Sequence, residues 1–232
     1  PHPFNGLAGM YLARKYKCPF ILEIRDLWPE TWVAMGATTK KSILYKVFAY
    51  IEKVLYKNAD KIVTLTANKD YYISLGVDEK KVEIVSNGVD LEKYDSLLEE
   101  KSPINLLENK FNILYTGAHG TANCLEFLLE VAKLIKNDDI VFNFIGEGEK
   151  KEELIKKSEE YKLKNVNFYP PINKNLIPST LKNGDAMILP VRDEPLYKYG
   201  ISPNKMYEYF ASSKSIIFSG NVANDMVKEA NA

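Results

Sequence analysis

Apolar positions along the chain follow two alternating periods. Short runs rich in β-branched residues are separated by stretches whose apolar positions recur every three or four residues, which predicts strands interleaved with helices. Leu7 to Lys17 reads as a helix and P-F-I-L-E-I-R, ending at Arg25, as a buried strand. Ser42 to Asn58 reads as a long amphipathic helix with Ile43, Leu44, Val47, Phe48, Ile51 and Leu55 on its apolar face, and Lys46, Lys53 and Lys57 opposite. The strand K-I-V-T-L-T, a short helix over Asn68 to Leu75 and the strand V-E-I-V follow. N-G-V-D at 87–90 predicts a turn, because Asn-Gly accepts positive φ. Leu91 to Asn109 is polar, interrupted by Pro103, and reads as a connector.

A second cycle starts at Phe111. F-N-I-L-Y-T, I-V-F-N-F-I-G, V-N-F-Y and A-M-I-L-P-V read as strands, with helices over Asn123 to Lys136, Lys150 to Lys162 and Asn175 to Lys182. Ser202 to Ser219 then gives a helix followed by a strand. Strands alternating with helices imply parallel sheets covered on both faces, and two such cycles imply two Rossmann-like α/β domains. The chain begins at Pro1 inside a loop pattern and ends on a helical one at Asn231-Ala232, so the expectation is a fragment of a longer protein.

Composition narrows this picture without changing it. Lys plus Arg (31) equals Asp plus Glu (31), so bulk charge gives no reason to expect nucleic acid. The two cysteines, Cys18 and Cys124, sit in apolar sequence without metal-ligand spacing, which favours a reducing compartment. No apolar run reaches membrane-spanning length.

Four stretches have residue types suited to chemistry. T-G-A-H-G-T at 116–121 follows a strand and leads into a helix, where free amides attract anions; Gly117 and Gly120 permit close approach, and His119 lies between them. A plain strand-to-helix turn explains G-x-x-G as well, and on the residues alone that simpler reading is preferred. In G-E-G-E at 146–149 the glutamates suit helix capping, leaving Gly146 to face a ligand. I-R-D-L-W-P-E-T-W places Arg25 and Asp26 at a strand's carboxyl edge beside both tryptophans, Trp28 and Trp32, an arrangement that grips polar ligands. The alternative there is a local Arg25–Asp26 pair with the tryptophans packing a loop.

The fourth is S-P-N-K-M-Y-E-Y-F-A from Ser202. Ser202 caps and Pro203 opens a helix whose first turn holds Lys205, where a cation opposes the helix dipole. Glu208 follows on the same face, and an ion pair between the two is the plain explanation. A pyrophosphate at the helix start, with Glu208 accepting sugar hydroxyls, accounts better for the misplaced lysine. The lysine face at 46, 53 and 57 is ordinarily just solvated; its sharper reading is attraction to anionic lipid, about 1 kcal/mol per lysine.

Taken in order, N-G-V-D, a glycine loop after the next strand, G-E-G, N-V-x-F and P-N-K-M-Y-E-Y-F-A resemble the group 1 (family 4) glycosyltransferases. R-D-L-W-P-E resembles the subgroup that makes bacterial surface polysaccharides, including amino-sugar transferases of O-antigen and capsule assembly. The resemblance implies the two-domain GT-B fold. Residues 1–90 would be an incomplete N-terminal acceptor-side domain, 91–109 a linker, and 110–232 a nucleotide-sugar domain lacking its last elements.

It further implies retaining transfer of a hexosyl or N-acetylhexosaminyl group from a UDP-sugar to a lipid-linked or saccharide acceptor. No metal or other cofactor and no nucleic acid is implied, and the setting would be cytoplasmic with peripheral contact at the inner membrane surface. Carried over by position, Arg25, Asp26 and Lys205 would be catalytic. Gly117, His119, Gly120, Gly146, Ile172, Arg192, Asn204, Lys205 and Glu208 would bind the donor.

The chain departs from the family pattern at four places. Gly200 stands where the first glutamate of E-x7-E would fall, Asn123 replaces the basic residue after the glycine loop, and Pro170 replaces a glycine after N-V-x-F. Arg25 occupies a strand end where many relatives carry histidine. A GT-B sugar-nucleotide epimerase and a non-catalytic nucleotide-sugar-binding or scaffold domain are the alternative readings. A dinucleotide oxidoreductase is disfavoured, since no G-x-G-x-x-G follows either first strand.

Overall fold

The computed structural model describes residues 3–231; Pro1, His2 and Ala232, and with them the outermost end positions read above, lie outside the described residues. The chain divides into two units. One takes the chain up to Asn87 together with Asp193–Ser202 and Asn221–Asn224; the other takes Gly88–Arg192, Pro203–Gly220 and the chain from Asp225 on.

The first unit runs α1 (Pro3–Tyr16), β1 (Ile21–Ile24), α2 (Glu30–Ala34), α3 (Ile43–Asn58), β2 (Lys61–Thr64), α4 (Asp70–Ser74) and β3 (Val82–Ile84). Because helices make both crossovers, the strands pair parallel in the order β1-β2-β3. Leu22, Leu55, Tyr56, Ile62, Tyr72 and Val82 form its core. Ser42 caps α3, its hydroxyl accepting from the Tyr45 amide at 3.1 Å.

The second unit contains α5 (Leu91–Ser96), β4 (Phe111–Thr116), α6 (Leu125–Leu134), β5 (Ile140–Ile145), α7 (Lys151–Glu160) and β6 (Val166–Tyr169). It continues with α8 (Ile177–Lys182), β7 (Ala186–Pro190), α9 (Asn204–Ala211), β8 (Ser215–Ser219) and α10 (Met226–Ala230). Its five strands are parallel in the order β6-β5-β4-β7-β8. Strand β4 shows how the sheet is covered twice. Ile113 and Tyr115 pack with α6 residues Leu125, Leu128 and Leu129 on one face, while Leu114 packs with Leu181, Met206 and Tyr209 on the other. The strand order reverses at β4, so ligands of such sheets bind beyond its carboxyl end at Thr116.

Several expectations need correction. Strand β1 is not buried on both faces: it is an edge of its sheet, and Ile21 is 63% exposed. On α3 the buried residues are Phe48, Glu52, Leu55 and Tyr56, whereas Ile43, Leu44 and Val47 are exposed. Packing on α1 and the sheet, and not the apolar count, selects the face. Cys18 is exposed and Cys124 only partly buried.

Asn87 and Gly88 form no positive-φ turn; the Asn87 amide donates to the Ser202 hydroxyl at 2.8 Å, which holds this segment extended. The 91–109 segment is not a free connector. It groups with the second unit, where Tyr94 and Ile104 are buried and Ser102 bonds Thr180 at 2.9 Å. Conversely, residues 193–202 and 221–224 leave the contiguous C-terminal domain and join the first unit, because Leu196 and Tyr199 pack on its core.

Candidate functional site

At the carboxyl end of β4 the chain turns at Gly117, and at the carboxyl end of β5 it turns at Gly146. The two turns are stitched together by main-chain bonds: Gly117 N–H to Ile145 O at 2.9 Å, His119 N–H to Glu147 O at 2.8 Å and Lys150 N–H to His119 O at 3.0 Å. Gly146 has φ +151, and a Cβ there would stand 1.9 Å from the Gly117 carbonyl oxygen, so only glycine fits. Lys151 braces the second turn, donating to the carbonyls of Gly146 and Tyr169 and to Glu147 Oε1 at 2.6 Å. The glutamates of G-E-G-E therefore do not cap α7: Glu147 pairs with Lys151, and Glu149 accepts from the Thr121 hydroxyl at 2.9 Å.

Helix α9 meets these turns through two tyrosines. The Thr116 amide donates to the Tyr209 hydroxyl at 2.9 Å, fixing the helix to the end of β4. Lys205 Nζ donates to the Tyr115 hydroxyl at 2.6 Å and to Asn123 Oδ1 at 3.4 Å, and lies 4.1 Å from the centre of the Tyr115 ring. A Cβ on Gly117 would come 2.7 Å from Nζ. The i, i+3 ion pair read from the sequence is not formed: Glu208 Oε1 lies 4.0 Å from Lys174 instead. Ser202 is not the helix cap either. The cap position is Pro203, with no side-chain bond, since the Ser202 hydroxyl is taken by Asn87.

The electrostatics follow from this burial. Desolvation brings Lys205 down to about 7, with Glu208 opposing. Desolvation likewise raises Glu208, against the pull of Lys174 and Lys205. His119 is fully buried among Tyr115, Phe144 and Phe168, and among the described residues neither ring nitrogen has a hydrogen-bond partner. Burial, helped by the positive charge of Lys151, lowers it to about 4, so the ring is neutral.

Within this unit Gly117, His119, Gly120, Gly146 and Lys205 converge on the ends of β4 and β5. Gly120 is extended, with φ −114, and leads into a short 3-10 turn at Thr121–Asn123. Asn204 is exposed in the first turn of α9, Ile172 is half-buried in the segment after β6, and Arg192 is exposed beyond β7. Sequence reasoning missed Tyr115 and Tyr209. Tyr115 sits in the apolar run of β4 as core, and only the fold shows its hydroxyl reaching Lys205.

Arg25 and Asp26 belong to the first unit and are exposed at the carboxyl end of β1. Arg25 approaches Glu23 at 4.0 Å, not Asp26. The tryptophans pack: Trp28 stacks edge-on against Trp32 at 4.9 Å, and Trp32 against Phe48 at 4.6 Å. Beside them a cavity of about 740 Å³ is lined by Glu30, Tyr45, Glu52, Lys53, Tyr71 and Tyr199 among others. Its acids are engaged. Glu30 accepts from the Tyr45 hydroxyl and from Lys40 at 2.8 Å, and buried Glu52 accepts from the Tyr71 hydroxyl at 2.7 Å. Gly200 has φ +91, and a Cβ there would lie 2.2 Å from the Ala67 Cβ, so this backbone admits no glutamate. Among the described residues no group of three or more His, Cys, Asp or Glu side chains is placed to hold a metal ion, and no helix is long and apolar enough to cross a membrane.

Known proteins resemble this chain in sequence and in fold. Residues 98–221 match the family model for glycosyl transferases group 1, and residues 1–93 match that for glycosyltransferase family 4. The chain is 25% identical over 205 residues to the probable glycosyltransferase WbjE of Pseudomonas aeruginosa, covering 85% of this chain and 50% of the relative. It is 26% identical over 207 residues to the UDP-Gal:alpha-D-GlcNAc-diphosphoundecaprenol alpha-1,3-galactosyltransferase of Escherichia coli, covering 80% and 49%. The chain thus spans about half the length of these curated relatives. The crystal structure of Anabaena Alr3699/HepE with UDP and glucose superposes with a TM-score of 0.69 at 14% identity, covering 94% of this chain and 58% of that one. The fold is accordingly the GT-B fold. With more than half of its residues inside the first of those family models, the chain belongs to the glycosyl transferases of group 1.

Proposed function

We propose that this chain contributes donor and acceptor domains to a retaining glycosyltransferase that moves a hexosyl or N-acetylhexosaminyl group from a UDP-sugar to a lipid-linked or saccharide acceptor of a surface polysaccharide. The observation that carries the reading is Lys205, a half-buried lysine at the start of α9 that touches a phenol and an amide but, among the described residues, no carboxylate. In such a place an anion is wanted, and glycine at 117 keeps side-chain bulk away from Nζ, where a diphosphate would lie. Glu208, one turn on and half-buried, would accept the ribose hydroxyls.

Departure of the diphosphate sets the barrier. As the anomeric carbon becomes oxocarbenium-like, negative charge grows on the leaving oxygens, and Lys205 at the start of α9 would stabilise it. Front-face attack by the acceptor hydroxyl follows from the family's retaining chemistry. UDP as the carrier is supported by HepE, solved with UDP-glucose, and by the UDP-Gal-dependent relative. Arg25 and Asp26 would act on the acceptor side. The sugar itself must be read by groups other than a glutamate at position 200, where glycine stands.

Calorimetric titration with UDP tests this. Lys205→Ala should weaken binding about 10- to 100-fold and Glu208→Ala about tenfold, as expected for charge-assisted hydrogen bonds. Equal affinity of both variants and the parent chain would sink the site assignment.

A further inference from the structure

We propose that Lys205, half-buried at the start of α9 against Tyr115 and Asn123 with no carboxylate among the described residues in ion-pair reach, is a proton-coupled latch that takes up a proton from solvent as the donor's diphosphate binds. The inference rests on the donor reading above and adds to it how the site acquires its charge. The step is a simple protonation: the Nζ lone pair forms an N–H bond with a solvent proton, and nothing is oxidised or reduced.

Geometry carries it. Two other lysines that brace this chain, Lys151 and Lys40, pair with carboxylates, Glu147 and Glu30. Lys205 has none among the described residues, although Glu208 sits on the same helix, because that carboxylate is turned toward Lys174. The groups that face Nζ are the Tyr115 hydroxyl and ring from β4, His119 from the following turn, and Asn123 from the 3-10 turn. From α9 itself come Glu208 and the Tyr209 hydroxyl, the latter bonded to Thr116. Tyr115 and Tyr209 are held neutral, both hydroxyls pushed up by burial, and His119 is neutral as well. The amides at the start of α9 add positive potential.

Among the described residues Glu208 is therefore the acid that faces an ammonium in this pocket, and it is at a distance. Desolvation accordingly leaves the amine titrating near 7. A diphosphate brings two negative charges to this place and restores the ordinary preference of lysine for its charged form.

The sign of the linkage follows. A ligand that prefers the protonated lysine binds best, and with no pH dependence, where the free site is already protonated, below about pH 7. Above that, affinity should fall about tenfold per pH unit until the pKa of the bound state is reached.

The experiment uses UDP-glucose, whose diphosphate diester lacks the second ionisation of a phosphate monoester. Titrations in buffers of different ionisation heat should show uptake of about one proton per ligand at about pH 8 and almost none at about pH 6. Lys205→Arg, whose guanidinium stays charged, should bind with that uptake abolished. In parallel, nitrogen NMR of labelled lysines should place the free Lys205 midpoint near 7 and move it up on saturation.

Tight binding without proton uptake at about pH 8, or a free midpoint above about 9.5, overturns the latch and leaves the donor site standing. Uptake that persists in Lys205→Arg also overturns it, and assigns the proton to a group other than Lys205. If the folded protein binds no UDP-glucose at any pH, the donor reading fails, and the latch with it.

Discussion

In the first unit Glu30 lies between Lys40 and Tyr45, and Glu52 is closed off by Tyr71; in the second, among the described residues, Lys205 has no carboxylate within ion-pair distance and the neutral His119 ring has no hydrogen-bond partner. Both clusters follow a parallel strand, and both mix acids, bases and tyrosines. The difference lies in whether the protein answers its own charges. Where it does, the cluster is part of the packing, since a buried acid without a partner would cost several kcal/mol. Where it does not, the free energy left unspent is available to a ligand.

The contrast can be broken most forcefully at the turn that holds the second cluster together. Gly146→Ala forces a Cβ against the Gly117 carbonyl at φ +151, and should cost roughly 3 kcal/mol or more in urea unfolding and abolish UDP binding. An unchanged midpoint would mean the two turns are not in contact.

The next effect probes the self-satisfied cluster. Burial raises the folded-state pKa of Glu52 to about 7, above its unfolded value, with hydrogen bonds from Tyr71 and Tyr56 opposing. The folded state therefore binds more protons than the unfolded state between these limits. Its contribution is complete below about pH 4.5 and disappears as pH rises through about 7, amounting to at most about 3 kcal/mol. Glu52→Gln keeps an oxygen for Tyr71 and should flatten the decline in urea midpoint over that window. A decline of the same size in the variant would show that Glu52 titrates normally.

The smallest effect should come from Lys40→Ala. Its side chain is 63% exposed, so losing the pair with Glu30 should change stability by under about 1 kcal/mol. A larger loss, read in the same assay, would show that Glu30 depends on Lys40 more than on Tyr45.

Parts of this were legible in the chain and parts were not, for reasons that can be named. Strands β4, β5 and β6 coincide with their apolar runs, because each is bounded by residues that cannot continue a buried strand. The glycine turns at 117 and 146 were legible as turns. Their mutual contact was not, since it depends on β4 and β5 being neighbours in register.

The burial of Glu52 does have a signal in the chain: it falls four residues after Phe48 and three before Leu55, on the face that is in fact covered. By contrast, nothing local foretells that Ser202 serves Asn87 across the fold instead of capping α9. Lys205 and Glu208 lie on one face of α9, as their spacing predicts. Their partners, Tyr115 and Lys174, arrive from distant positions and draw the two side chains apart.

The main-chain bonds joining residues 117–120 to 145–150 carry a consequence for evolution and for engineering. Two turns that exchange amides and carbonyls, with a glycine at the point of contact, form a single inheritable module. A chimera that imports one turn from a relative without the other would set foreign backbone against native backbone at Gly146. Recombination within this part of the chain is therefore confined to cuts that carry both turns together.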